Sequence, residues 1–511
     1  MRRTRLSTGL ALVMAALVIM SGCKETVPET SSEEEAVVSE TAAADVSAEE
    51  SSSSESAGSA EENETEFETD ASEKTETESA ENTESVEITE SAQTVESTSE
   101  ETEASEEPDT LPMKSHEGEA VSFGHYVDER IAEVNSRTLS APESGLFDVL
   151  SGAAFTAEKI RSMMESYVFP ETAYLGDEVR TEERTAEIAA NRNLEALTEE
   201  SFAVRYALLS DNADVRGFPT MLRAVNTPEP EAFDLLQESM FSIGEGVLVL
   251  HESADGAFLF VQGNNYFGWI QAEKAALCTA EEFTDYLTRE HFLVVLRQRL
   301  IQNDQAFRLA TVLPYTKKTE EGYQVLLPGR REDGSLELRE VPFTGKSEFV
   351  SDGFLPYDVE DLTNRSYTLT GFPYGWGDTD MNFDCSSLAG RLYQCYGIRF
   401  PRNTSAMKYY DFGGSFSVPV EGMTEEEKLD LLSGHPGAVL VMPGHAMIYG
   451  GVVVGEDGTR NPYAVQAVTA YYDSDHVLHE VYASLGSELN ILHGSDGQTF
   501  LSKVHTILFY Q

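Results

Sequence analysis

Cys385 and His445, sixty positions apart, are residue types that together make a thiol nucleophile. The reactive species is the thiolate, and a helix N-terminus and a nearby imidazole both favour it. Cys385 lies in Phe383-Asp384-Cys385-Ser386-Ser387-Leu388, and the residues that follow read as a helix. Asp384 is a cap residue, Leu388, Leu392, Cys395 and Tyr396 recur at helical spacing, and Gly397 stops the run. His445 lies in Pro443-Gly444-His445-Ala446-Met447-Ile448-Tyr449. Val439, Val441, Met447 and Tyr449 alternate around it as in a half-buried strand, and Gly444 gives room beside it. Taken alone, Cys385 reads as a small buried hydrophobe and His445 is as readily structural as catalytic. As a pair they read as a nucleophile and the base that takes its proton and later gives it to a leaving amine.

Four motifs stand in order around this pair: Gly371–Gly377 (GFPYGWG), Asp384–Leu388 (DCSSL), Gly397–Asn403 (GIRFPRN) and Pro443–His445 (PGH). In that order they resemble the NlpC family of bacterial cell-wall cysteine peptidases, over residues 356–511. Residues 113–355 resemble the helical N-terminal segment and the two bacterial SH3-like barrels that precede the catalytic domain in one branch of that family. The resemblance implies Cys385 as nucleophile and His445 as base. A third polar group should hold the other imidazole nitrogen. The family often has a histidine on the next strand, and here the matching position is Gln466, in Tyr463–Val468. A glutamine carbonyl can accept the imidazole N–H without bringing a charge; Gln466 also reads as a plain surface residue. Tyr374 and Trp376 match the family's Pro-Tyr-x-Trp element, which lines the cleft. The resemblance implies that Tyr374 donates to the developing oxyanion together with the backbone N–H of Cys385. In the SH3-bearing branch, the equivalents of Asp384 and Ser386 bind the free amine of an N-terminal L-Ala, and a tyrosine matched by Tyr266 closes the peptide site. Asp384 reads equally as a helix cap, and Tyr266 equally as barrel core. The common nucleophile motif is Asp-Cys-Ser-Gly; Ser387 replaces the glycine, as the barrel-bearing branch tolerates. Arg402-Asn403 belongs to the motif without a physical role that the sequence supplies.

The elements that must position these groups occupy the last three-quarters of the chain. Arg2, Arg3 and Arg5, the apolar run Ala11–Met20 and Ser21-Gly22-Cys23 read as an export signal over residues 1–22. The small residues before Cys23 resemble a bacterial lipobox, with Met20 where leucine is usual, which implies lipidation of Cys23. The other reading is an uncleaved anchor, for which the run is short. Residues 23–112 follow as a spacer of Ser, Thr, Glu and Ala. Residues 24–110 hold 30 acidic residues against two lysines, a net charge of −28. Such a stretch builds no core and reads as a disordered tether. Its reach is on the order of 300 Å extended and about 50 Å as a coil. The whole chain carries −55; with +3 in the signal, −30 remains for residues 111–511. That balance argues against nucleic acid and anionic lipid as partners. The four cysteines make no disulfide framework, and neither they nor His476 and His479 suggest a metal site.

Residues 113–203 read as helical, with helices over Ala157–Tyr167 and Glu183–Leu197. Residues 204–276 read as a first small barrel, with strands Val204–Leu209, Gly246–His251, Ala257–Gln262 and Tyr266–Ile270 split by Asp-Gly and Gly-Asn turns. Residues 277–355 read as a helical connector over 277–302 and a second barrel, with strands Ala310–Leu313, Tyr323–Pro328 and Leu336–Pro342. The final domain, 356–511, runs helix first and antiparallel sheet after, the order of a papain-like α+β fold. The expected protein is therefore a multidomain, lipid-anchored, extracytoplasmic cysteine peptidase, monomeric and without cofactor or metal. The resemblance implies a substrate among peptidoglycan stem peptides, cut between γ-D-Glu and a diamino acid, with preference for a free N-terminal L-Ala. Two other readings stand beside it: amidase or transpeptidase action on the same Cys-His site, and a non-catalytic wall-binding lipoprotein.

Overall fold

The capping chemistry around Cys385 is realised in the computed structural model, which describes residues 119–198, 204–229, 233–408, 417–456 and 458–510. Cys385–Gln394 is an α-helix with Asp384 as its N-cap. The Asp384 carboxylate accepts from Ser387 N at 2.9 Å, and the Ser387 hydroxyl accepts from Asp384 N at 3.1 Å, a reciprocal capping box. Gly397 ends the element at φ 79°. A Cβ there would stand 2.7 Å from Val127 Cγ1, so glycine serves both the left-handed turn and a close approach.

The helix packs on an antiparallel sheet with strand order Ser417–Pro419, Thr506–Leu508, Val439–Met442, His445–Val454, Arg460–Tyr472 and Leu478–Glu488. Pro443 and Gly444 form a two-residue turn, Gly444 at φ 71°, so that His445 opens its strand opposite Met442. Alternation sends Val439, Val441, Ala446, Ile448 and Val465 into one core with Leu388, Leu392 and Tyr393 of the helix. Leu440, Met442, Met447, Tyr449 and Ala464 enter a second core with Leu501 and Ile507 on the other face. A sheet covered on both sides holds its register firmly, since a one-residue slip would exchange the two faces.

Ahead of this lie two larger sheets, beside small ones of two or three strands. The first has seven antiparallel strands, in the order Ala275–Cys278, Arg205–Leu209, Gly246–Glu252, Phe258–Gln262, Phe267–Gln271, Ala213–Arg216 and Gln237–Phe241. The second has five: Leu336–Thr344, Gly322–Arg330, Val312–Lys318, Phe292–Val295 and Val350–Asp352. Helices Glu129–Ser140, Ala157–Glu165 and Glu182–Ala190 precede them. The helix expected to run to Leu197 stops at Ala190, because Asn193 turns left-handed at φ 55° and only a single 3-10 turn, Leu194–Ala196, follows.

The expected helix over 277–302 is overturned more fully. Only Ala280–Leu287 is helical, closed by a Thr279–Glu282 capping box. Phe292–Val295 is a strand, and Arg299–Gln302 pairs with Gln305–Arg308. A short apolar run does not distinguish helix from strand by its period. Burial decides here: Phe292 and Val294 enter the core beneath the Cys385–Gln394 helix, while Leu293 and Val295 enter the core of the five-stranded sheet. Among the described residues no helix is long and apolar enough to cross a membrane. The export signal, Cys23 and the acidic spacer lie outside the described residues.

Candidate active site

His445 opens its strand beside the start of the Cys385–Gln394 helix; the Cys385 Sγ lies 4.0 Å from the carbonyl oxygen of Gly444, the residue before His445. Cys385 and His445 are both buried, each 8 % exposed. His445 Nε2 and Gln466 Oε1 are 2.6 Å apart, and Gln466 is fully buried. The Gln466 amide nitrogen donates to Ser487 Oγ at 2.7 Å, which turns its carbonyl toward the imidazole. A carbonyl can only accept, so the proton sits on Nε2 and Nδ1 is left as the basic nitrogen. Burial lowers the His445 pKa to about 4, against the opposing effects of the Gln466 hydrogen bond and the Asp384 charge. The imidazole is therefore neutral at pH 7, as a general base must be. Ser487, the residue that aims the glutamine, carried no signal in the sequence beyond its place on the last strand.

Asp384 is engaged on its other side by Arg402. The guanidinium donates to both carboxylate oxygens, at 2.6 and 3.2 Å, to Ser386 Oγ at 2.8 Å and to Ser239 Oγ at 2.9 Å. Burial works against this charge, but Asp384 and Asp378 more than offset it and raise the Arg402 pKa above the ordinary arginine value. Asp378 in turn pairs with the fully buried Arg308 at 2.7 Å. Burial pushes the Asp378 carboxyl up, while Arg308, Arg402 and Arg391 together hold it well below the usual carboxylate range. Asp378, Asp380 and Met381 all have positive φ, between 56° and 66°. Each such residue stores on the order of 1 kcal/mol or more, so the segment persists because these ion pairs hold it. Arg402, without an assignable role in the sequence, is thus the counter-charge that fixes the residue preceding Cys385. Arg402→Leu is expected to destabilise the protein by about 3–5 kcal/mol, because Asp384 would stay buried without its partner. Urea unfolding monitored by tryptophan fluorescence checks this; an unchanged midpoint would contradict it.

An aromatic cluster forms around Phe233. Tyr374, held by its backbone N–H to the Tyr482 carbonyl at 2.8 Å, has its ring 5.7 Å from Phe233. Trp376 is also 5.7 Å from Phe233, and its indole N–H donates to the Gln237 carbonyl at 3.1 Å. Tyr266 donates from its hydroxyl to Glu238 at 2.8 Å. Burial raises the Glu238 pKa, against the Tyr266 hydrogen bond and the charges of Arg402 and Arg216. Glu238 and Phe233 were not visible in the sequence. Glu238 sits on Gln237–Phe241, a mixed polar and apolar strand that has no clean alternation to mark it. The sequence-derived residues thus fall into two groups: Cys385, His445, Gln466, Asp384 and Ser386 around the helix start, and Tyr374, Trp376 and Tyr266 in segments, outside the strands, that meet residues 233–238.

A helix-borne cysteine set against a histidine on an antiparallel sheet defines the papain-like architecture. Residues 371–482 match the model of the NlpC/P60 family, and residues 226–271 match that of an SH3 domain of the SH3b1 type. The chain carries an NlpC/P60 domain preceded by an SH3b domain. Among solved structures, an NlpC/P60 endopeptidase from Photobacterium damselae subsp. piscicida is similar, at 18 % identity and a TM-score of 0.55, over 78 % of this chain and 98 % of that one. At that identity the likeness is one of fold. An NlpC/P60 family protein from Bacillus cereus ATCC 10987 is 17 % identical over 60 % of this chain and 99 % of that one, with a TM-score of 0.40. NlpC2 from Trichomonas vaginalis is 13 % identical over 60 % of this chain and 98 % of that one, with a TM-score of 0.23. Comparison with curated proteins finds no match.

Proposed function

We propose that the protein is a cysteine endopeptidase that hydrolyses an amide of peptidoglycan stem peptides, between γ-D-Glu and a diamino acid, outside the cytoplasm and tethered through a lipid on Cys23. The observation that carries the reading is the line from Ser487 through Gln466 to His445, beside the capped thiol of Cys385. His445 Nδ1 takes the thiol proton as sulfur attacks the amide carbonyl. The oxyanion is received by the backbone N–H of Cys385 and the hydroxyl of Tyr374. Collapse breaks the C–N bond, and the imidazolium returns its proton to the departing amine. Water, deprotonated by the same nitrogen, then releases the acyl group and restores the thiol. The test is incubation with defined muropeptides and identification of the products by mass spectrometry. New termini at γ-D-Glu and the diamino acid are expected, and intact peptides would overturn the reading.

Two further outcomes follow from His445. Gln466→Ala is expected to lower kcat/KM by roughly 10- to 1,000-fold, because it orients the base and carries no proton itself. An unchanged rate constant would move the orienting role elsewhere. The acid limb of kcat/KM should lie near the folded pKa of about 4 rather than near the ordinary histidine value of about 6.5. The sign for stability is the same: below about 6.5 the unfolded chain takes a proton that the folded one refuses, so stability falls as pH drops from there toward 4. A rate profile with its acid midpoint at 6.5 would show that His445 is not held neutral.

A further inference from the structure

Tyr482 is held in a backbone conformation that tyrosine avoids. Its φ is 43°, inside the strand Leu478–Glu488, and for a bulky side chain a left-handed φ is an outlier. Such strain persists where surrounding contacts over-determine it, and it gathers at functional sites. The register of the sheet shows its local origin. Val468 pairs with Ala483 and Ala470 with Glu480, so the single residue Thr469 faces two, Val481 and Tyr482. That is a β-bulge, which gives up one ladder position and re-aims a side chain.

The bulge directs both halves of Tyr482 at one neighbour. Its carbonyl accepts from Tyr374 N–H at 2.8 Å. Its ring, 38 % exposed, lies 5.9 Å from that of Phe233, which is itself 5.7 Å from the rings of Tyr374 and Trp376. Beside that carbonyl, Gly371 N donates to the Ser484 carbonyl at 2.7 Å and Ser484 N to the Phe372 carbonyl at 2.8 Å. Pro373 bridges Ala483, so residues 371–374 line the sheet edge. One residue on, Gly375 N donates to the carbonyl of Phe383, two places before Cys385, at 3.0 Å. Tyr374 thus sits where the chain passes from the sheet edge to the segment that leads into Cys385.

We propose that Tyr482 is a positioning residue for the hydrolysis: its carbonyl and its ring contact with Phe233 fix Tyr374 where the Tyr374 hydroxyl meets the oxyanion. The inference rests on the proposed Cys385 chemistry and adds a residue to it. An oxyanion donor must be held within about 0.5 Å of its productive place, which strained but over-determined backbone can do. Phenylalanine at 482 would keep both the ring and the carbonyl. Glycine would keep the carbonyl, relieve the left-handed strain and give up the ring that holds the turn.

The test compares Tyr482→Phe and Tyr482→Gly in the full chain, alone and combined with Tyr374→Phe, on defined muropeptides. Tyr482→Gly is expected to lower kcat by about tenfold or more while KM changes by less than about twofold, since the lost interaction belongs to the transition state. Tyr482→Phe should stay within about twofold of the unmutated enzyme. Once the Tyr374 hydroxyl is gone, Tyr482→Gly should cost less than about threefold more, because both changes act through one group. Losses that multiply in full, or an unchanged kcat in Tyr482→Gly, would overturn the proposal. Hydrogen exchange at the Tyr374 amide needs no turnover, so it separates this role from a failure of the hydrolytic reading. Exchange should quicken by about tenfold or more in Tyr482→Gly and not in Tyr482→Phe. Equal exchange in all three proteins would overturn the positioning role whatever the substrate. Tyr482→Asn, which suits the left-handed turn, serves the same comparisons if the glycine variant does not fold.

Discussion

Cys385→Ala is expected to abolish hydrolysis, by about ten-thousandfold or more, while leaving the fold in place. In the proposed reaction the thiol is used in the chemistry, and it adds little to packing. Its neighbours on the helix, Leu388, Ala389 and Leu392, make the core, and the cap that starts the helix belongs to Asp384 and Ser387. Exchanging a small buried thiol for a methyl group should shift stability by no more than about 1 kcal/mol. His445→Ala should be nearly as severe, since it removes the proposed base: the buried Gln466 that holds His445 cannot itself act as a base at neutral pH. Circular dichroism of both variants separates loss of chemistry from loss of fold. Hydrolysis surviving in folded Cys385→Ala would remove the nucleophile assignment and everything built on it.

What the sequence made legible was local. The helix at Cys385 announces itself through a cap, a period and a stopping glycine, and His445 through a turn followed by alternation; each signal spans fewer than a dozen residues. The four ordered motifs suggested the roles, and Gln466 lies against the imidazole on the strand the sequence pointed to. What stayed hidden depends on residues far apart in the chain. Arg308, Asp378, Arg402 and Asp384 form one chain of charge, yet no spacing links a strand-end arginine of one sheet to a left-handed turn seventy residues later. The strand Phe292–Val295 is hidden in the sequence for a related reason. Its alternate residues face two different cores, and two-sided burial erases the pattern that would have identified it. Glu238 was missed because a lone glutamate on a mixed strand looks solvated until Tyr266 and Arg402 are seen to surround it.

That glutamate sharpens the expectation about substrate form. The sequence put the reading of a free L-Ala amine on Asp384, Ser386 and Tyr266. In the folded protein Asp384 has both oxygens on Arg402, and Ser386 Oγ also receives a bond from that guanidinium. Among the described residues Glu238 has no such full partner: its hydrogen bond comes from the neutral Tyr266 hydroxyl, and burial raises its pKa. A carboxylate held this way gains most from an arriving ammonium, which would lower that pKa again and settle the charge. Stem peptides with a free N-terminal amine should therefore be turned over roughly a hundredfold faster than the same peptides N-acetylated, since a buried charge left without its partner costs about 3–5 kcal/mol. Glu238→Gln should erase most of that ratio by slowing the free-amine substrate, and Tyr266→Phe should narrow it less. The kcat/KM ratio of the paired peptides, measured in all three proteins, checks this. A ratio near one in the unmutated enzyme would show that the cleft reads no amine. A ratio kept in full by Glu238→Gln would return the amine to Asp384, with Arg402 yielding one of its oxygens.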